Sequence, residues 1–131
     1  MRTSDDPYDL QRFVDAQHAV YETVLAELRQ GEKRSHWMWF VFPQIAGLGH
    51  SAMSKKFSIK SLDEARAYLR HPILGPRLIE CTTLVNEIEG RTLHDIFGYP
   101  DDLKFRSCVT LFAQAAPSIP IFQQALQKYP A

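Results

Sequence analysis

Apolar residues at Leu10, Phe13, Val14, Val20, Tyr21, Val24 and Leu28 recur at three- and four-residue steps, which predicts one amphipathic helix of about six turns ending before Gly31. Asp6 reads as its N-cap, Pro7 as its first residue and Asp9 as an acid in its first turn. Gln17 falls on the apolar stripe, so it must find a buried partner or face a cavity. Further on, Gly47-Leu48-Gly49 marks a turn, and Ser51 to Phe57 is long enough for two helical turns. Ser61-Leu62-Asp63-Glu64 is a capping box that opens a helix running to about Arg70, closed by His71-Pro72. Gly75-Pro76 restarts a helix carried by Leu78, Ile79, Thr82 and Val85 to a stop at Gly90. Thr92 caps a short piece that ends at Gly98. Pro100-Asp101-Asp102 opens another helix with the stripe Phe105, Cys108, Val109, Phe112 and Ala116, and Ser118 to Tyr129 is the last.

One segment resists this reading. From Trp37 to Phe42, six consecutive positions hold both tryptophans and two of the eight phenylalanines. At helical or strand period its side chains point in every direction, so it must be enclosed by the domain or line a cavity. Aromatic enrichment favours a strand, whereas Ser35 and Pro43 would suit the ends of a short helix, and periodicity leaves both open. The chain thus reads as all-α or mainly α: one compact domain over residues 1–131, a bundle of about seven short helices with at most one short strand.

Composition narrows the function classes. A chain of 131 residues, 45% hydrophobic, is the size of one domain able to bury most of its apolar surface. Fifteen basic against fifteen acidic residues remove the basic excess that would suggest nucleic acid. No apolar run approaches the roughly 18 residues that span a bilayer, and Met1 to Asp6 lead into an acidic segment, so a cytoplasmic protein without a membrane partner is expected. Cys81 and Cys108 sit in apolar helical patterns and read as small buried hydrophobes, in keeping with a reducing compartment.

Phe13-Val14-Asp15-Ala16-Gln17, then Lys33-Arg34-Ser35-His36-Trp37-Met38-Trp39-Phe40-Val41-Phe42-Pro43-Gln44 with Gly47-Leu48-Gly49, resemble the bacterial domain of unknown function family 1810, some of whose members carry the label calpastatin. Ser61 to Leu69, His71 to Leu78 and Asp101 to Ser107 resemble it too, so the likeness runs along nearly the whole chain. It implies a compact, mostly helical bacterial domain and carries over no catalytic residue. Members often continue past the position of Tyr129, whereas this sequence stops at Pro130-Ala131; if a C-terminal element is missing, one edge of the domain is expected to be more exposed than is typical. A weaker likeness, over Tyr68 to Gly98, is to YbiA-like proteins linked to ADP-ribose and riboflavin-pathway chemistry; their acidic and lysine positions have no clear counterpart.

Three constellations could carry chemistry. His36, Trp37, Trp39 and Gln44 would supply stacking faces and polar edges if the aromatic run borders a cavity; the alternative is a core in which each indole N–H finds an acceptor. Gly47-Leu48-Gly49-His50-Ser51, followed by Lys55 and Lys56, has the residue types that hold a phosphate, or else is a tight turn before an exposed basic face. Asp101, Asp102, Lys104 and Arg106 are spaced to close as Asp101–Lys104 and Asp102–Arg106 ion pairs, with Lys104 or Arg106 as the anion contact in the functional reading. The expected ligand site is therefore Gln17, His36, Trp37, Trp39, Gln44, Lys104 and Arg106, taking a nucleotide-like or other planar anion. In an enzymatic version, His36 or Asp102 would serve as the base of a hydrolysis. The five histidines show no metal-ligand spacing, so neither metal nor cofactor is expected. The competing expectation is a non-catalytic interaction module with a purely structural aromatic core and an apolar patch near Pro117 to Tyr129.

Overall fold

Asp6 caps a helix that it does not directly precede. In the computed structural model, which describes residues 6–130, its carboxylate accepts the N–H groups of Leu10 and Gln11 at 2.8 and 2.9 Å. Pro7 and Tyr8 form a turn, Asp9 takes a left-handed backbone conformation, and α1 runs only from Gln11 to His18. The single long helix expected from the sequence is in fact two. Val20, with φ −119°, interrupts it, and α2 spans Tyr21–Gln30. The stripe survives the break because both pieces turn it toward the same core: Leu10, Phe13 and Gln17 before, Val24, Leu25 and Leu28 after. Met1 to Asp5 and Ala131, on which the acidic-leader and C-terminal expectations partly rest, lie outside the described residues.

The aromatic run resolves as one turn of helix, α3 (Met38–Val41). Ser35 does not cap it; Trp37 stands at the N-cap position without a side-chain bond. So short a helix leaves most of its carbonyls without intrahelical donors. Gln17 supplies one, donating from Nε2 to the Phe40 carbonyl at 2.7 Å.

Downstream boundaries follow local signals closely. Ser51 caps α4 (Ala52–Lys56), and Ser61 caps α5 (Leu62–Arg70) by accepting Glu64 N–H at 3.0 Å. The return bond of the expected box goes one residue further back, from Lys60 N–H to Glu64. After α6 (Leu74–Glu87), Thr92 and Asp95 make a complete reciprocal box on α7 (Leu93–Phe97). Two longer amphipathic pieces, α8 (Asp101–Ala115) and α9 (Pro120–Lys128), finish the chain.

Helices α5, α6, α8 and α9 pack on one another, α2 lies on α6, α7 on α8 and α1 on α3. Aromatic rings run through the middle. Phe13 meets Tyr68 edge-on at 5.2 Å, Tyr68 meets Phe112 at 5.4 Å, and Phe112 meets Phe122 at 5.7 Å. The architecture is mainly helical, with nine helices among the described residues rather than about seven; the extra two are the split first helix and the aromatic turn. Extended pairing is confined, in these residues, to a parallel bridge between Ile45 and Ile59. None of these helices is long and apolar enough to cross a membrane.

Candidate functional site

The two tryptophans, two residues apart, end in different surroundings. Trp37 is 1% exposed and donates its indole N–H to Glu27 Oε1 at 2.9 Å. The same carboxylate accepts Arg34 and Ser35 N–H and the Ser35 hydroxyl, so one buried acid ties the 34–37 segment to α2. Burial opposes ionisation of Glu27, but the bonds from Ser35, Arg34 and Trp37 outweigh it and hold the carboxyl below its ordinary range. Sequence reasoning passed over Glu27. The available signal was its position three residues after Val24 on the buried stripe, where an acid needs partners.

Gln17 is also fully used inside the protein. Besides Phe40 it donates to the Tyr68 hydroxyl at 3.1 Å and accepts from Arg77 at 3.4 Å. Trp37 and Gln17 therefore belong to the core network.

Trp39 is half-buried and forms a wall of an open cavity of about 350 Å³, together with Gln44, Ile45, Gly47, Gly49, His50, Ser54, Lys55 and Phe57. Its construction follows from one long-range pairing. Ile59 N–H donates to the Gln44 carbonyl and Ala46 N–H to the Ile59 carbonyl, both at 2.8 Å, which closes residues 44–59 into a loop standing over Trp39. Gly49 lets the loop fold tightly: a Cβ there would come within 2.5 Å of the Ser54 side chain. Two constellations that are separate in sequence, the aromatic run and the Gly47–Lys55 segment, thus share one cavity. Among the described residues no acidic one lines it, and Lys55 gives it a cationic rim beside His50. The first-turn N–H of Ser54 is already bonded to the Ser51 hydroxyl, so α4 offers less to an anion than the motif suggested.

The remaining expected site residues are dispersed. Lys104 Nζ lies over the Trp39 ring at 5.4 Å and 3.4 Å from Asp101, so the expected Asp101–Lys104 pair forms beside the cavity. Asp101 also holds Lys33 Nζ at 2.9 Å, and Lys33 in turn lies over Trp37. The expected Asp102–Arg106 pair does not form: Arg106 donates to the Tyr129 carbonyl, and Asp102 faces His94 at 3.6 Å. Arg106 and Asp102 line another cavity, between α7, α8 and the C-terminal end of α9. His36 is exposed and lines neither of these two cavities.

Cys81 and Cys108 are buried and unpaired; burial pushes the Cys81 thiol up to about 12 and Cys108 well above the ordinary thiol range, so neither ionises near neutrality. Among the described residues no group of three or more His, Cys, Asp or Glu is placed to hold a metal ion. Exposed large hydrophobic side chains there include Leu48, Leu62 and Leu103 but none from 117 to 129, so the apolar surface lies elsewhere than the sequence suggested.

No functionally curated protein matches the chain. Among solved structures, that of the conserved hypothetical protein Rv1873 from Mycobacterium tuberculosis is similar at 57% identity, with a TM-score of 0.93, covering 95% of this chain and 89% of that one. The family described as a protein of unknown function, DUF1810, matches residues 7–131, and the chain belongs to it.

Proposed function

We propose that this protein binds a small planar anion in the cavity over Trp39. The observation that carries the reading is the meeting of the half-buried Trp39, Gln44 and the cationic Lys55 in one cavity that no acid among the described residues lines. Indole would stack on a planar ring, Lys55 would neutralise a carboxylate or phosphate, and Gln44 and His50 would bond its edges. Lys104 contributes less charge than its position suggests, because Asp101 already pairs with it. Trp37 and Gln17 act on this site from behind, by fixing the turn that presents Trp39.

Benzoate, nicotinate and adenosine monophosphate are suitable probes, followed by calorimetry and by quenching of tryptophan emission. Binding by at least one, abolished in Lys55→Glu, supports the reading; in Trp39→Phe the remaining emission, from sealed Trp37, should not respond to ligand. If none of the three binds at millimolar concentration while the protein is folded, the reading fails.

A further inference from the structure

Next to the Trp39 cavity lies a second hollow of different character. It encloses about 640 Å³ and is walled by Ile45, Leu48, Leu62, Leu103 and Leu111, with Ser107, Thr110 and Gln114 along one side. Leu48 and Leu103 are each 54% exposed and Leu62 38%. Single exposed leucines need no explanation, but several lining one trough form the kind of apolar surface that marks a binding site.

Two features join this trough to the anion cavity. Ile45 is a wall of both, and the next residues of the same loop divide between them, Gly47 facing the cavity and Leu48 the trough. On α8, Leu103 lines the trough and the next residue, Lys104, lies over the Trp39 ring beside the cavity. A cationic, aromatic compartment thus opens beside an aliphatic one, and the only charged lining of the trough among the described residues, Arg106, is engaged with the Tyr129 carbonyl.

Resting on the planar-anion reading, we infer that the natural ligand is an amphiphile: a planar anionic head for the Trp39 cavity, carrying an aliphatic chain that lies in the leucine trough. The shared wall is the reason for choosing a chain on the ligand over a separate protein partner. A chain attached to the head reaches the trough without a second binding event, so its burial adds directly to affinity.

The 4-alkylbenzoates test this with head and chain varied independently. Full burial of one methylene corresponds to about a fourfold gain in affinity, and a trough open on one side should yield roughly twofold. Calorimetry should then show 4-butylbenzoate binding roughly fifteenfold more tightly than benzoate. Leu103→Ser and Leu62→Ser, both at exposed positions, should remove that increment and leave benzoate affinity unchanged. Benzoate binding with no dependence on chain length overturns the inference while leaving the planar-anion reading intact. Failure of benzoate with retained, chain-dependent binding of 4-octylbenzoate in Trp39→Ala also overturns it, since the trough would then work without the cavity. Concentration-dependent dimerisation abolished by Leu103→Ser would assign the trough to a second copy of the chain and overturn it as well.

Discussion

Trp37 and Trp39 have the same side chain on the same turn, yet one is a structural anchor and the other a wall of a cavity. The difference lies in their partners. Trp37 faces α2, where Glu27 accepts its indole N–H and three further donors from the same segment. Trp39 faces the loop closed by the Ile45–Ile59 bridge, which stands off the ring and leaves about 350 Å³ between them. An aromatic-rich sequence therefore does not specify a core or a site. What decides is whether the opposing element can fill the space against the ring, and a loop held by two backbone hydrogen bonds fills it less completely than a helix does.

The sharpest way to break this comparison is to remove the anchor. Glu27→Ala leaves Trp37 Nε1, two backbone N–H groups and a hydroxyl without their acceptor, and should cost roughly 3 kcal/mol of stability, measured by urea unfolding. Glu27→Gln keeps the shape and removes the charge, so a smaller loss of about 1–2 kcal/mol is expected at neutral pH. Acid should mimic it. Because Glu27 ionises below the ordinary glutamate value of about 4.3 when folded, its contribution is complete above that pH and is lost as the pH falls through the lowered folded value. The unfolding midpoints of wild type and Glu27→Gln should therefore converge as the pH is lowered from neutrality through the ordinary glutamate value and on through the depressed folded one. A constant gap would show that the charge of Glu27 is not what holds the Trp37 segment.

Local rules made much of the fold legible. The Thr92 cap, the Ser61 cap and the stripe of α8 depend on residues within a turn or two of each other, and each helix forms where that short-range chemistry places it. The break at Val20 was hidden for a physical reason: both pieces face one core, so the apolar spacing continues across the bend. The four-residue α3 is little more than one helical period, too short for periodicity to identify. The site was legible as residue types and not as an arrangement. Trp39, Gln44 and the Gly47–Lys55 segment could each be picked out, but their convergence depends on Ile45 pairing with Ile59, and nothing in the spacing of either residue announces the other. Gln17 and Trp37 read as ligand contacts for the converse reason, since their acceptors, Phe40 O and Glu27, lie on other elements.

The smallest expected effect tests whether the two tryptophans are as separate as their surroundings suggest. Lys104→Ala removes an ion pair to Asp101 and a cation over Trp39, each worth about 0.5 kcal/mol at a partly exposed position, so stability should change by about 1 kcal/mol or less. Emission should be the more sensitive reading, because the ammonium lies 5.4 Å from the Trp39 ring centre. A chain of contacts nevertheless connects the two rings: Lys104 pairs with Asp101, Asp101 with Lys33, and Lys33 lies 5.2 Å over Trp37. Making Lys104→Ala in wild type and in Trp39→Phe separates the routes. A spectral shift seen only when Trp39 is present keeps the two environments distinct. An equal shift in Trp39→Phe would mean that Asp101 transmits the change to Trp37, and that anchor and cavity wall respond as one unit.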